Sequence, residues 1–126
     1  MSSFALLRVT IEPLDEACLV RASGELDVST ADRLSSALDA ARRDGVLTLL
    51  DLSAVSFMDS AGLRVLLRSA RSVDVHHWPW FIVRPSRAVR RLLEVSGTAS
   101  RLPLVAPPES PERVVTLRTA ARRIAG

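Results

Sequence analysis

Hydrophobic and polar positions at the start of the chain predict a β-hairpin. Apolar and polar residues alternate over residues 7–11, which is the period of a half-exposed strand. Residues 13–16 have the composition of a turn, and the mostly apolar residues 17–22 predict a second strand. Because the connection is so short, we expect the two strands to pair with each other.

A loop and a first helix follow the hairpin. Residues 24–30 are the loop, in which Ser29 or Thr30 offers a side chain that can cap the helix. Apolar residues then recur at helical spacing as far as Gly45, which is expected to end the helix. They are Ala31, Leu34, Leu38 and Ala41.

The middle of the chain predicts a buried strand followed by a turn and a second helix. Residues 46–52 are apolar except for Thr48 and Asp51, as in a strand buried on both faces of a parallel sheet. Residues 53–58 are expected to form the turn. From Ser60 onward, apolar residues again recur at helical spacing; they are Leu63, Leu66, Leu67, Ala70 and Val73. This pattern places a hydroxyl at a helix N-terminus, where open α/β sheets hold functional groups.

Three weaker signals describe the later elements. Residues 78–83 predict a strand, with Pro79 at its beginning or on an unpaired side. Ser86 is expected to cap a third helix that ends at Gly97 and buries Val89, Leu92 and Leu93. Residues 102–105 predict a short edge strand. Helices alternate with strands after the hairpin, so we expect an α/β domain with a mixed sheet and helices packed on it.

The end of the chain predicts a linker and an amphipathic helix. Residues 106–111 are rich in proline, and Ser110 with Pro111 forms a good helix start. The apolar stripe of this helix is Val114, Leu117, Ala121 and Ile124, and its polar face carries Arg113, Arg118, Arg122 and Arg123. The helix either packs back on the domain or contacts a partner, and the pattern leaves both open.

Composition narrows the class of protein. The 126 residues are enough for one domain, and no apolar run reaches the length of a membrane span. The N-terminus also lacks a signal-peptide pattern, so we expect a cytoplasmic protein without membrane insertion. The net charge of +3 comes from arginines scattered over several helices, which does not indicate nucleic-acid binding. The single cysteine, Cys18, is expected to be a core residue.

Ser60 allows two interpretations that are compatible with each other. As a helix cap, its oxygen would accept a free N–H of the first turn, worth about 1 kcal/mol. As a modification site, the positive end of the helix would tolerate a phosphate of about −1.5 to −2 charge. Geometry alone favours the cap.

Other constellations give little support to catalysis. Asp27, Asp51 and Asp59 lie near strand ends and raise the possibility of a Mg²⁺ site. The order of elements also resembles a receiver domain, which accepts a phosphate on an aspartate. Such a domain uses a lysine, and the chain has none. Ser60 lacks the glycine pattern of a hydrolase, and the adjacent His76 and His77 indicate a surface loop. We therefore expect no enzyme, no cofactor and no metal.

Three segments resemble the STAS domain, and more narrowly the bacterial anti-sigma factor antagonists. They are residues 24–27 (GELD), 51–63 (DLSAVSFMDSAGL) and 85–93 (PSRAVRRLL), of which the middle one is highly specific. The similarity runs from about Leu7 to Val105. It implies a single STAS-like domain at residues 4–106, with the linker and amphipathic helix at residues 107–126.

The resemblance also implies a mechanism. Such an antagonist binds an anti-sigma factor that is also an ATP-dependent serine kinase, and thereby releases a sigma factor. The kinase phosphorylates one serine, which abolishes binding, and a serine phosphatase restores it. The matching serine is Ser60. The implied partner-binding residues are Asp27, Asp59, Ser60, Ala61, Gly62 and Leu63.

Two features depart from the family pattern, and one alternative function stays open. Residue 84, where a glycine is common in the family, is Arg84. The approach to the fourth strand, usually rich in glycine or arginine, is here residues 75–80, which include Trp78 and Trp80. The tryptophans are expected to be core anchors, with an exposed contact as the alternative. The alternative function is a STAS scaffold or transporter-associated subunit that is not phosphorylated.

Overall fold

Four strands and three helices follow one another in the described part of the chain, in the order that the sequence predicts. A computed structural model describes residues 6–76 and 78–105, and the side chains of residues 72–76 are not described. The elements are β1 (Arg8–Leu14), β2 (Ala17–Leu26), α1 (Ala31–Asp44), β3 (Leu47–Met58), α2 (Ser60–His76), β4 (Trp80–Val83) and α3 (Arg87–Ser96), followed by a 3₁₀ turn at Ala99–Arg101. The predicted tail helix and linker lie outside the described residues.

The strands form one mixed sheet in the order β1-β2-β3-β4. β1 and β2 are antiparallel, with Arg8 opposite Ser23, which confirms the predicted hairpin. β2 is parallel to β3, and β3 is parallel to β4. Because parallel strands end at the same edge of a sheet, the loops after β2 and β3 are brought together.

Three strands are longer than the sequence pattern predicts. β1 continues to Leu14, so that Pro13 and Leu14, assigned to the turn, pair with Cys18 and Ala17. β2 continues to Leu26, and β3 continues through residues 53–58, which the pattern assigned to a turn. The extensions of β2 and β3 pair with each other, with Glu25 opposite Phe57, after irregularities in register. Ser53, Ala54, Ser56 and Phe57 are exposed, so this part of the strand lacks the apolar run that indicated the first part.

The C-terminal ends of α1 and α3, and the start of α3, follow the predicted capping signals. Gly45 and Gly97 adopt left-handed φ values of 70° and 69° just after these helices. The Ser86 side chain accepts the Val89 N–H at 3.2 Å, as predicted for the cap of α3. α2 continues to His76 instead of ending near Val73, and ends shortly before Pro79, which cannot continue a helix. His76 therefore belongs to the helix and not to a surface loop.

The core consists of a large and a small cluster on the two faces of the sheet. The large cluster joins one face to all three helices, through buried residues such as Leu34, Leu66 and Leu93. The small cluster contains Ala17, Leu19, Leu47, Leu49 and Val83 and includes no residue of these helices. Side chains alternate between the faces of a strand, so Arg21 and Asp51 lie on the same face as Leu19 and Leu49.

Both tryptophans are core residues, as expected. Trp78 and Trp80 are 1% and 2% exposed, and their rings stack with centroids 5.5 Å apart. The Trp78 indole N–H donates to the Val46 carbonyl at 3.2 Å and to the Thr48 hydroxyl at 3.1 Å. Cys18 is also buried, which confirms its predicted place in the core.

The segment after the 3₁₀ turn adds only one bridge to the sheet. Leu104 pairs with Ile82 in parallel, and the Val105 N–H donates to the Ile82 carbonyl at 3.0 Å. The predicted edge strand at residues 102–105 is therefore reduced to an isolated bridge beside β4.

Candidate functional site

The candidate site lies at the edge where β2 and β3 end. Leu26 pairs with Met58 at the ends of these strands. The Asp59 N–H then donates to the Leu26 carbonyl at 3.2 Å. This bond holds the first residues of α2 beside the loop that begins at Asp27.

Asp59, not Ser60, caps α2. The Asp59 Oδ1 accepts the Ala61 N–H at 2.9 Å and the Gly62 N–H at 3.4 Å. The Asp59 carbonyl accepts the Leu63 N–H at 3.1 Å, which is the first helical bond. Ser60 is already the first helical residue. The predicted cap is therefore wrong by one position, because either residue type can cap and only the backbone decides which one precedes the helix.

The Ser60 side chain is left exposed at this helix end. Its hydroxyl makes no hydrogen bond to any residue in the described part of the chain, and the side chain faces solvent. The only structural task that the sequence suggested for this oxygen is carried out by its neighbour. The oxygen is accessible to a partner.

Asp27 organises the loop beside Ser60. Its Oδ1 accepts the Ser29 N–H at 2.9 Å, the Ser29 hydroxyl at 2.7 Å and the Thr30 N–H at 3.2 Å. The Ser29 hydroxyl, followed by the other donors, holds the pKa of Asp27 below its usual value of 3.8, so the carboxylate is charged at neutral pH. Neither Ser29 nor Thr30 caps α1 with its side chain; the Thr30 hydroxyl donates to the Glu25 carbonyl at 2.7 Å instead.

Two exposed apolar residues flank the acidic positions, and sequence reasoning missed both. Val28 is 81% exposed between Asp27 and Ser29, and Phe57 is 46% exposed two residues before Asp59. Val28 had a local signal as an apolar residue among the polar residues 27–30, whereas Phe57 stands beside Met58, which is buried, and nothing in the sequence separates the two. Large exposed side chains beside a candidate site are typical of contact surfaces.

Gly62 and Leu63 lie beneath this surface. Both are buried, and a Cβ on Gly62 would lie 2.7 Å from Leu26 Cγ and 2.9 Å from Met58 Cγ. Glycine therefore allows α2 to begin directly against the ends of β2 and β3. The two residues support the surface from below, and the partner contact that the resemblance implies for them stays a prediction.

Asp51 does not join Asp27 and Asp59 in a metal site. Its Oδ2 pairs with Arg84 at 2.5 Å and with Arg21 at 3.5 Å, on the sheet face away from the helices. Burial raises the pKa of Asp51, but hydrogen bonds from Ser53 and Arg84 outweigh this effect and hold it below 3.8. Among the residues that the structure describes, no group of three His, Cys, Asp or Glu side chains is placed to hold a metal ion.

Comparison with known proteins identifies the family. A sequence model of the STAS domain family matches residues 8–110. An anti-sigma F factor antagonist of Paenibacillus polymyxa is 32% identical over 100 residues, which cover 78% of this chain and 86% of the relative. An anti-sigma factor antagonist of Mycobacterium paratuberculosis, solved by crystallography, has a TM-score of 0.73 at 28% identity and covers 88% of this chain and 92% of its own.

A further solved structure shares the fold. The Bacillus cell fate determinant SpoIIAA, in its phosphorylated form, has a TM-score of 0.66 at 20% identity and covers 86% of this chain and 97% of its own. In this chain, no helix of the described residues is long and apolar enough to span a membrane. Anti-sigma factor antagonists are regulators without enzymatic activity, which confirms the prediction that the chain is not an enzyme. The family match over most of the sequence agrees with the three motifs, and the chain belongs to the STAS domain family and, within it, to the anti-sigma factor antagonists.

Proposed function

We propose that this antagonist binds an anti-sigma factor that is also a serine kinase, and so releases a sigma factor in the cytoplasm. In this proposal the kinase transfers the γ-phosphoryl group of ATP to Ser60 Oγ, and the phosphorylated antagonist no longer binds. A serine phosphatase removes the phosphate and restores binding. The anti-sigma factor is the class of partner that the family implies.

The observation that carries this proposal is the exposed Ser60 hydroxyl. A kinase must bring its substrate oxygen in line with the phosphate of ATP, which requires an accessible hydroxyl. The Ser60 hydroxyl has no hydrogen bond within the described residues, and Asp59 performs the capping. Phosphorylation therefore requires no local unfolding of α2.

Electrostatics supports the direction of the switch. A phosphoserine carries about −1.5 to −2 charge at neutral pH, and it would stand beside the Asp59 carboxylate and near the Asp27 loop. In the lower dielectric of an interface these two carboxylates would repel the added charge more strongly than in water, and desolvation of the phosphate is costly. A loss of about 3 kcal/mol would weaken binding roughly a hundredfold.

The composition of the surface describes the partner that it fits. Val28 and Phe57 provide apolar contact area, and Asp27 and Asp59 provide negative charge. A complementary partner has an apolar depression with basic side chains around it.

Arg64 gives the modified protein a local partner for the phosphate. It is exposed and lies four residues after Ser60 in α2, so both side chains occupy the same face of the helix. In the free antagonist, the Arg64 guanidinium can pair with a phosphate on Ser60. This pairing would stabilise the phosphorylated, unbound form.

The first experiment measures phosphorylation by intact mass after incubation with ATP and each candidate anti-sigma kinase of the same genome. We expect one added phosphate on the wild type and none on Ser60→Ala. Ser29→Ala is the matched control, because it removes an exposed hydroxyl from the same surface and should leave the phosphate in place. A phosphate retained in Ser60→Ala would assign the modification to another residue and refute the proposal.

The second experiment measures binding to the kinase identified in the first. Ser60→Ala should bind as tightly as the wild type and stay insensitive to ATP, whereas Ser60→Asp should bind at least tenfold more weakly. If Ser60→Asp binds as tightly as the wild type, the switch is wrong. Stable binding without phosphorylation by any candidate would favour the scaffold that is not phosphorylated.

A further inference from the structure

A basic groove crosses the sheet face that lies opposite the three helices. Its volume is about 320 Å³, and it spans β1, β2, β3 and the turn after β4. Three arginines from different elements line it, together with three hydroxyl side chains and one carboxylate. They are Arg8, Arg21, Arg84, Thr10, Ser23, Ser53 and Asp51.

Strand register explains why these side chains converge. Arg21 of β2 lies between Thr10 of β1 and Asp51 of β3, in pairs that cross the sheet. Arg8 lies opposite Ser23, one step further along the same face. Neighbouring strands are about 4.8 Å apart, so the long arginine side chains can reach a common centre.

Asp51, the single carboxylate among the described residues that line the groove, already has partners for both of its oxygens. Asp51 Oδ1 accepts the Ser53 N–H at 2.9 Å, and Oδ2 pairs with Arg84 and Arg21. Outside the groove lining, Glu12 adds one contact to Arg21 at 3.5 Å, with both side chains about half exposed. The groove thus has more positive charge than its own acidic groups neutralise.

Hydrogen-bond donors are in still larger excess. Each guanidinium has about five N–H donors in a planar fork. Within the described residues Arg8 has no acceptor, and the Arg84 Nε is buried without one. The Arg84 side chain as a whole is 39% exposed, so the rest of its guanidinium, with that of Arg8, offers donors to a ligand oxygen.

The backbone at Arg84 shows that the guanidinium is held there at a cost. Arg84 has a φ of 50°, a conformation that glycine adopts without strain and that a long side chain rarely adopts. Such strain persists where the rest of the structure requires it. Here the side chain is directed to Asp51 at the floor of the groove.

We propose that this groove binds an oxyanion, specifically the phosphate group of a small molecule or free phosphate. Converging guanidinium forks match the geometry of phosphate oxygens, and the hydroxyls of Thr10, Ser23 and Ser53 add donors around them. No aromatic side chain lines the groove on which a nucleic-acid base could stack. The site lies on the opposite face of the sheet from α2 and is therefore separate from the surface around Ser60.

The test titrates inorganic phosphate and pyrophosphate into the full chain at constant ionic strength, with sodium chloride as the reference. Calorimetry measures affinity, and NMR follows the guanidinium signals of Arg8 and Arg84, which should shift when a ligand oxygen accepts their hydrogen bonds. We expect saturable binding, tighter for pyrophosphate than for phosphate. A tighter pyrophosphate complex points to a phosphorylated small molecule as the physiological ligand, and equal affinities point to free phosphate.

Two variants separate a site from general charge attraction. Arg8→Gln should weaken binding about tenfold or more, because a charge-assisted contact is lost. Arg43→Gln is the matched control, because Arg43 is an exposed arginine of α1 and does not line the groove. This variant should bind phosphate as tightly as the wild type does. A response that does not saturate, or equal weakening in both variants, would overturn the proposal.

Arg84→Gly provides a second test, with a substitution that the backbone at residue 84 tolerates. Glycine relieves the positive φ while the variant removes the guanidinium. Circular dichroism should show an unchanged fold, and phosphate binding should fall about tenfold or more. Wild-type affinity in this folded variant would also overturn the proposal.

Discussion

The identity of the cap of α2 can be tested by comparing substitutions at two adjacent residues. Asp59→Ala removes the carboxylate that accepts the Ala61 N–H at 2.9 Å and the Gly62 N–H at 3.4 Å. Asp59→Asn keeps an oxygen acceptor and removes the charge. Ser60→Ala removes a hydroxyl that makes no hydrogen bond to the described residues.

The three substitutions differ in expected cost. Loss of a cap costs about 1 kcal/mol, and loss of a negative charge at a helix N-terminus adds about 0.3–1 kcal/mol. Asp59→Ala should therefore lower the free energy of unfolding by about 1–2 kcal/mol. Asp59→Asn should lose only the charge contribution. Ser60→Ala should change stability by less than about 0.5 kcal/mol, because alanine suits the first turn and no contact is lost.

Thermal and urea unfolding at neutral pH measure these differences. For a domain of this size, the expected loss in Asp59→Ala corresponds to a fall in Tm of roughly 3–10 °C. The expected order of stability is Ser60→Ala close to the wild type, then Asp59→Asn, then Asp59→Ala. If Ser60→Ala is as unstable as Asp59→Ala, the Ser60 hydroxyl carries a capping role and the reasoning about its availability fails.

Three further substitutions test other parts of the structure. Gly62→Ala should lower the free energy of unfolding, measured in urea, by about 1–2 kcal/mol. The added Cβ would lie 2.7 Å from Leu26 Cγ, and this overlap outweighs the gain in helix propensity. Wild-type stability would contradict the close packing. Gly24→Ala should cost about 1–3 kcal/mol, because φ is 108° and the Cβ would lie 2.6 Å from the Leu6 carbonyl oxygen; a neutral effect on Tm would contradict it. Asp51→Asn should lose about 1–3 kcal/mol at neutral pH, measured by urea unfolding. The folded-state pKa of Asp51 is lowered, so the carboxylate stabilises the fold above pH 3.8, and this stabilisation is lost as the pH falls through the folded pKa. The difference in stability between Asp51→Asn and the wild type should therefore shrink in acid. A difference that stays constant with pH would refute this role of Asp51.

The elements that could be predicted from sequence are those with a clear apolar period and a local signal at one or both ends. α1 and α3 have apolar residues at helical spacing and end at Gly45 and Gly97, whose left-handed conformation favours glycine. Ser86 caps α3 because no neighbouring residue competes for the position. For such segments, local chemistry and tertiary structure agree, and the pattern suffices.

The second half of β3 could not be predicted because its pairing is not local. Residues 53–58 alternate irregularly between buried and exposed, and their partner strand lies about thirty residues earlier in the chain. Nothing in the sequence predicts the irregularities in the register between β2 and β3. The cap of α2 has a different cause: Asp59 and Ser60 are both good caps, and their order in the backbone decides between them.

The sequence also could not predict which residues of the candidate site are exposed and which are buried. The motif includes Gly62 and Leu63, which are buried, and omits Val28 and Phe57, which are exposed. A motif records which residues a family uses, and it does not separate contact residues from those that support them. Burial makes that separation here, because Gly62 fits against Leu26 and Met58.

The division of tasks between Asp59 and Ser60 determines what a phosphate on Ser60 would change. If Ser60 capped α2, modification would alter the acceptor that holds the first turn, and binding and stability would change together. With Asp59 as the cap, the helix keeps its acceptor, and Arg64 one turn later offers the phosphate a counter-charge. Modification can then change the charge of the surface while the fold beneath it stays the same. A switch that must be reversed by a phosphatase benefits from this separation, because both forms remain folded and able to return.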